Sequence, residues 1–247
     1  MKSWLVYIVV LCMTNGLSAQ ENGPALRSHL SFEYGGQVPM ADMADRFGSN
    51  FNLGSQLEIL HTRNHLLAGV KGYYFFGNVL KEDVISSLRS PNGEIIGNDG
   101  APAVIGLRER GFFIGTYLGK LFVLSEKNLH SGIKVQAGLG LLQHHVRIQD
   151  DTRTVVQLSG DYRKGYDRLS NGLAGYLFLG YQHLDPGKRI NFVAGFDCTL
   201  ARTQSRRDFD FGLMRKDDTK RTDILTGIRV GWILPITTGI APEKIYY

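Results

Sequence analysis

The stretch "SGIKVQAGLGLLQHHVRIQ", residues 131 to 149, decides the fold. Ile133, Val135, Ala137, Leu139 and Leu141 fall on one face of an extended chain. Lys134, Gln136, Gly138 and Gly140 fall on the other. Strict period-two alternation marks a β-strand with two unlike sides. The run is about fifteen residues, against roughly five or six for an ordinary strand. In a water-soluble protein the apolar side of such a strand faces a core. In a membrane barrel it faces lipid, and the polar side lines the lumen.

Seven further segments alternate in the same way, near 27–36, 50–61, 65–77, 110–122, 171–184, 189–202 and 221–236. In the 171–184 segment, "NGLAGYLFLGYQHL", both faces are apolar and the sides stay unassigned. Short links ("TRN", "VLSEKNLH", "DPGK") alternate with long ones, near 37–49, 78–109, 149–170 and 203–220. An up-and-down antiparallel meander with an even strand count puts all short turns at one end and all long loops at the other. Mid-strand charges share the glycine-bearing face: Glu33, Glu58, Lys71, Lys134, Asp197, Asp223 and Arg229. A dry apolar core does not hold so many charges unpaired. A barrel lumen holds them, because opposite charges on facing strands meet, and glycines relieve crowding inside eight strands. The apolar face therefore points outward, and Tyr34, Phe51, Tyr74, Phe76, Phe112, Phe122, Tyr181 and Trp232 suit interfacial girdles.

The expected fold is all-β: an eight-stranded, antiparallel, up-and-down transmembrane barrel in a bacterial outer membrane, with short periplasmic turns and long extracellular loops. It occupies residues 20–247. Residues 1–19, "MKSWLVYIVVLCMTNGLSA", read as an export signal: Lys2, then an apolar run too short to span, then small residues before the cleavage point. After such cleavage Cys198 is the one cysteine left, so no internal disulfide forms. The net charge of +5 is spread among interleaved acids and bases, which excludes a nucleic-acid arm. The closing "KIYY" suits an outer-membrane insertion signal, although Pro235 and Pro242 interrupt that stretch.

The phrases "LHSGIKVQAGLGLLQHHVRI" (129–148), "GYDRLSNG" (165–172) and "INFVAGFD" (190–197) resemble small outer-membrane barrels of Bacteroidota. The eight-strand plan resembles the OmpA/OmpX type. Some Bacteroidota barrels are accessories of the type IX secretion and gliding machinery, which the resemblance offers as a second reading. No residue here carries a defining motif for it.

Candidate chemistry is sparse. Adjacent strand residues point to opposite faces, so His144 and His145 do not ligate one metal; no metal or cofactor is expected. One histidine is expected at the lumen rim and the other at the membrane interface. Cys198 faces the apolar side by parity. A lipid A-modifying enzyme is a third reading, with His144 or His145, Asp167, Ser159 and Ser170 toward the outer end, but no motif fixes a serine beside a base. The fourth long loop carries Arg202, Arg206, Arg207, Arg215 and Lys216, suited to phosphates of lipopolysaccharide or to an acidic envelope partner. The expected role is non-catalytic: structural, or surface binding by loops, with outer-membrane lipid as the surroundings.

Overall fold

The computed structural model describes residues 26–125, 128–185 and 190–236. Residues 1–19, the closing "KIYY" with Pro242, and most of the "DPGK" turn lie outside the described residues. Eight long strands close into one antiparallel barrel. In chain order they are β1 (Leu26–Ala41), β2 (Asn50–His61), β3 (Leu66–Gly77), β6 (Ile105–Val123), β7 (Gly132–Asp150), β8 (Ser170–Leu184), β9 (Asn191–Ser205) and β10 (Lys220–Ile236). A two-residue ladder, β4 (Ile95–Ile96) with β5 (Pro102–Ala103), sits in the loop before β6. One short helix, α1 (Asp42–Arg46), follows β1. Each barrel strand pairs with its sequence neighbour in the barrel, and β1 closes the ring against β10.

The register fixes the geometry of the wall. Cα partners lead from Ala41 to Asp223, Ala201, Ala174, Gly140, Gly115, Lys71, Gln56 and back to β1 at Ser31. The path returns to β1 ten residues earlier (41 minus 31), so the shear is ten. With about 3.3 Å per residue and roughly 4.8 Å between strands, this shear tilts eight strands by about 40°. All residues on that path share one parity, which places the Lys71 and Gln56 side chains in the lumen together with Asp223.

The strands outrun their apolar pattern. β1 continues to Ala41, β6 begins at Ile105, β7 ends at Asp150 and β9 ends at Ser205. The links are therefore 42–49, 78–104, 151–169 and 206–219, each shorter than the alternation suggests. Pairing persists after the outward residues turn polar, as at Arg108 and Arg147, because the ladder needs backbone partners and not apolar side chains.

The two faces of β8 separate in the structure. Leu173, Leu177 and Leu179 lie exposed on the outside. Ala174, Tyr176, Phe178 and Gln182 are buried inside. Both faces read as apolar because the lumen here is filled with rings that lie over glycines. A Cβ at Gly180 would stand 2.6 Å from Phe178 Cζ, and one at Gly140 would stand 2.8 Å from Phe113 Cζ. Such approaches leave room only for glycine.

The long-loop end is capped by packed chain. Val84, Ile85, Ile95, Val155, Leu158 and Tyr166 are buried there. Tyr166 meets the Phe211 ring at 5.1 Å. Arg168 ties three loops together through Glu82 at 2.9 Å and Asp210 at 3.1 Å. The cap is a structural lid on a rigid wall, not a set of loose tails.

Candidate functional site

Parity puts a charged face inside, and the structure shows which charges meet. All seven lumen residues named from the sequence are buried: Glu33, Glu58, Lys71, Lys134, Asp197, Asp223 and Arg229 are each at most 3% exposed. They form three groups stacked along the barrel.

In the middle group Lys71 Nζ is 2.8 Å from Glu33, and Arg229 reaches Asp197 at 2.6 Å and Glu33 at 3.4 Å. Two acids face two bases, so the group is neutral. Lys71 also donates to the Tyr176 hydroxyl at 2.7 Å, and Gln37 donates to Asp197 at 2.9 Å. The Arg229 guanidinium lies 4.7 Å from the Tyr73 ring centre. Nearer the short turns, Glu58 collects Lys134 at 2.7 Å, with hydrogen bonds from Gln136 and Tyr117 at 3.0 Å each. His29 stands 3.7 Å away. Nearer the long loops, Asp223 accepts from Thr203 at 2.5 Å and lies 2.8 Å from His144 Nε2. Arg46 of α1 reaches down to it at 3.5 Å. Asp223 thus belongs with α1 and His144, apart from the other six.

Several members were missing from the sequence reading. Glu109 is fully buried and accepts from Asn50 at 3.0 Å. Continuing the 110–122 alternation upstream through "LRERGFF" gives Glu109 the inward parity of Gly111 and Phe113. Arg46 sits in a loop position that no strand pattern reaches. The neutral partners Tyr117, Tyr176, Gln136 and Gln182 share the polar-face parity but carry no charge to mark them.

His144 is fully buried in the lumen and His145 faces outward, half-buried. Cys198 is a free thiol on the outer face. Neither serine of the enzyme reading is held by a histidine: Ser159 Oγ donates to the Val156 carbonyl at 2.7 Å and Ser170 Oγ to the Arg168 carbonyl at 3.1 Å. Asp167 is occupied by a bidentate pair with Arg207. Among the described residues no group of three or more His, Cys, Asp or Glu side chains stands ready for a metal.

The basic loop splits. Arg207 is tied to Asp167, whose hydrogen bonds hold the guanidinium above its ordinary range. Arg206 donates to Asn171 at 2.5 Å, and Lys216 lies 3.6 Å from Asp218. Arg221 pairs with Asp217 at 2.7 Å. Burial works to raise the Asp217 carboxyl, yet hydrogen bonds from Arg221 and Thr219 hold it below the usual value. Arg202 lies exposed on the outer face of β9, and Arg215 lies exposed on the loop; neither has an acidic partner among the described residues. The loop closes on itself between Asp210 and Arg215, leaving Leu213 and Met214 exposed at its tip.

No family model and no curated protein matches the chain. Solved structures do. Ail, the attachment invasion locus protein of Yersinia pestis, solved with the heparin analogue sucrose octasulfate, is 11% identical over 85% of this chain and 100% of its own, with a TM-score of 0.39. Neisserial surface protein A is 10% identical over 86% and 99%, at 0.37. The N-terminal β-barrel domain of Pseudomonas aeruginosa OprF is 9% identical over 83% and 97%, also at 0.37. Eight tilted antiparallel strands, closed on themselves, with short turns at one end and long loops at the other, carry the assignment themselves. The fold is that of a small outer-membrane barrel.

Proposed function

We propose that this chain is a non-catalytic outer-membrane barrel that holds surface loops on a rigid wall, with the fourth loop as its binding element. One observation carries the reading: the polarity of the molecule is inverted. Arg229, Lys134 and Glu58 are sealed inside, while Leu139, Leu173, Phe196 and Trp232 are 59–76% exposed outside. So large a continuous apolar surface is unsustainable in water but suits lipid. The short turns then face the periplasm and the capped end faces outward. The loop tip at Leu213–Met214, beside Arg215 and Lys216, is braced below by Arg168–Asp210 and Tyr166–Phe211. A braced loop on a rigid scaffold is a common place for recognition. Loop 206–219 balances four bases with four acids, and Arg215, which has no acidic side-chain partner among the described residues, is the group that suits an acidic or phosphate-bearing surface partner.

The test is fractionation with surface proteolysis. The protein is expected in the outer-membrane fraction, running faster on a gel before boiling than after, as a closed barrel without edges does. Trypsin added to intact cells is expected to cut at Arg215 or Lys216 and to spare Arg63 in a short turn. Recovery mainly in the soluble periplasm, or cutting only after the outer membrane is opened, overturns the reading.

A further inference from the structure

On the outer wall, β6 and β7 set basic residues directly against each other. Arg108 is the register partner of Arg147, and Arg110 is the partner of His145. Glu109 and Val146, between them, face the lumen, so all four side chains project outward. Arg108 and Arg147 carry like charge, and like charges directly opposite destabilise a strand pair, with Cβ atoms only about 4.5–5.5 Å apart. Among the described residues no acid lies within ion-pairing distance of Arg108 or Arg147. Asp167 is taken by Arg207, and Glu109 points inward to Asn50. Asp150 accepts from the backbone of its own turn, at Arg153 (2.9 Å) and Val155 (3.0 Å), and Asp151 accepts from Gln149 at 2.7 Å. Arg153 and Arg163 share a recess with Arg147, together with Asp150 and Asp151.

The height of this cluster identifies what it meets. On β6 the outward face from Phe112 to Phe122, ten residues, is apolar but for Thr116 and for Lys120 at the short-turn rim. At about 3.3 Å per residue and a tilt of roughly 40°, that span is about 25 Å along the barrel axis, the thickness of an outer-membrane apolar band. Arg110 and Arg108 stand two and four residues beyond Phe112, about 5 and 10 Å above the band on the same rise. Register steps from Ile114 to Leu141, Leu173 and Arg202 climb the tilted wall, which lifts Arg202 to about the level of Arg110. Directly below lie Ile114, Leu118, Leu139 and Leu141, each more than half exposed.

Resting on the outer-membrane reading, we infer that the outward cluster Arg108, Arg110, His145 and Arg147 binds the phosphomonoester headgroup of an outer-leaflet lipid. Its acyl chains lie on the leucine-rich wall beneath. Guanidinium pairs match phosphate oxygens bidentately. A phosphate between Arg108 and Arg147 turns their repulsion into two attractions. The lipid is favoured over free phosphate because the cations crown an exposed apolar wall that a free ion does not use.

The experiment uses the full chain refolded in zwitterionic detergent. Phosphatidic acid, phosphatidylcholine or inorganic phosphate is added, and bound lipid is read by native mass spectrometry alongside the melting temperature. Wild type is expected to retain phosphatidic acid at least tenfold more than R108S/R147S, and to melt higher with it. K120S, a change at the opposite rim, is expected to behave as wild type. Without added lipid, R108S/R147S is expected to melt no lower than wild type, because a repulsion has been removed. Equal retention by wild type and the double variant overturns the site. A shift by inorganic phosphate as large as that by phosphatidic acid overturns the headgroup assignment. Heat-dependent gel mobility, read on every sample, separates loss of the site from failure of the barrel itself.

Discussion

At the residue scale, the lumen charges work as sets. Arg229 is 1% exposed and bridges Asp197 and Glu33, while Glu33 is shared with Lys71. Removing Arg229 leaves two acids against one base in a space shielded from solvent. Breaking a buried ion pair costs on the order of 3–5 kcal/mol. Arg229→Ala is expected to lower the melting temperature in detergent far more than Arg215→Ala, whose side chain lies exposed on a loop. Equal, small shifts, measured by circular dichroism, contradict the pairing described. The charges themselves were legible: alternation assigns each its face without any knowledge of the fold. Their partners were not. Glu33 of β1 and Lys71 of β3 meet over the intervening β2, not as register neighbours, so the match depends on shear and barrel radius. That is also why Asp223 was grouped with Arg229 in the sequence and is found beneath α1.

At the element scale, a glycine decides how one strand reaches over another. Gly69 of β3 is the register partner both of Glu58 on β2 and of Tyr117 on β6. The Tyr117 ring crosses Gly69 to donate to Glu58 at 3.0 Å, and a Cβ at Gly69 would stand 2.6 Å from its hydroxyl oxygen. Gly69→Ala is expected to cost about 1–3 kcal/mol by overpacking. Shortening Tyr117 to Ala in the same chain is expected to recover part of that loss. Melting curves of the two single variants and the double variant supply the cycle, and strict additivity contradicts the crossing. Strand number, order and facing were legible for seven of the eight segments, since alternation with a polar inside is unambiguous. β8 was not, because its inner face carries the rings of Tyr176 and Phe178, whose register partners are Gly138, Thr199, Gln136 and Asp197. Strand ends were not legible either: pairing runs past the apolar band on polar residues, and α1 occupies a stretch read as plain loop.

At the scale of the whole molecule, the question is what passes through the barrel. Eight strands leave an interior that side chains fill. Phe75, Phe113, Leu142, Tyr176 and Leu225 are buried along it, and the three charge groups lie between and beside them. Some lumen atoms, both amide atoms of Asn52 and Asp197 Oδ1 among them, have no hydrogen-bond partner among the described residues. A permeating ion has to part Arg229 from Asp197 and Lys71 from Glu33, losing two compensated pairs at once. Wild-type protein in a planar bilayer is therefore expected to give no discrete single-channel steps. Replacing both Lys71 and Arg229 with serine removes side-chain bulk and leaves Glu33 and Asp197 uncompensated. Any current in that double variant is expected to favour cations, because the unpaired groups lining the path are then carboxylates. Steady openings of wild type contradict a sealed lumen, and anion preference in the double variant contradicts the charge arrangement, provided heat-dependent mobility shows that the barrel has formed.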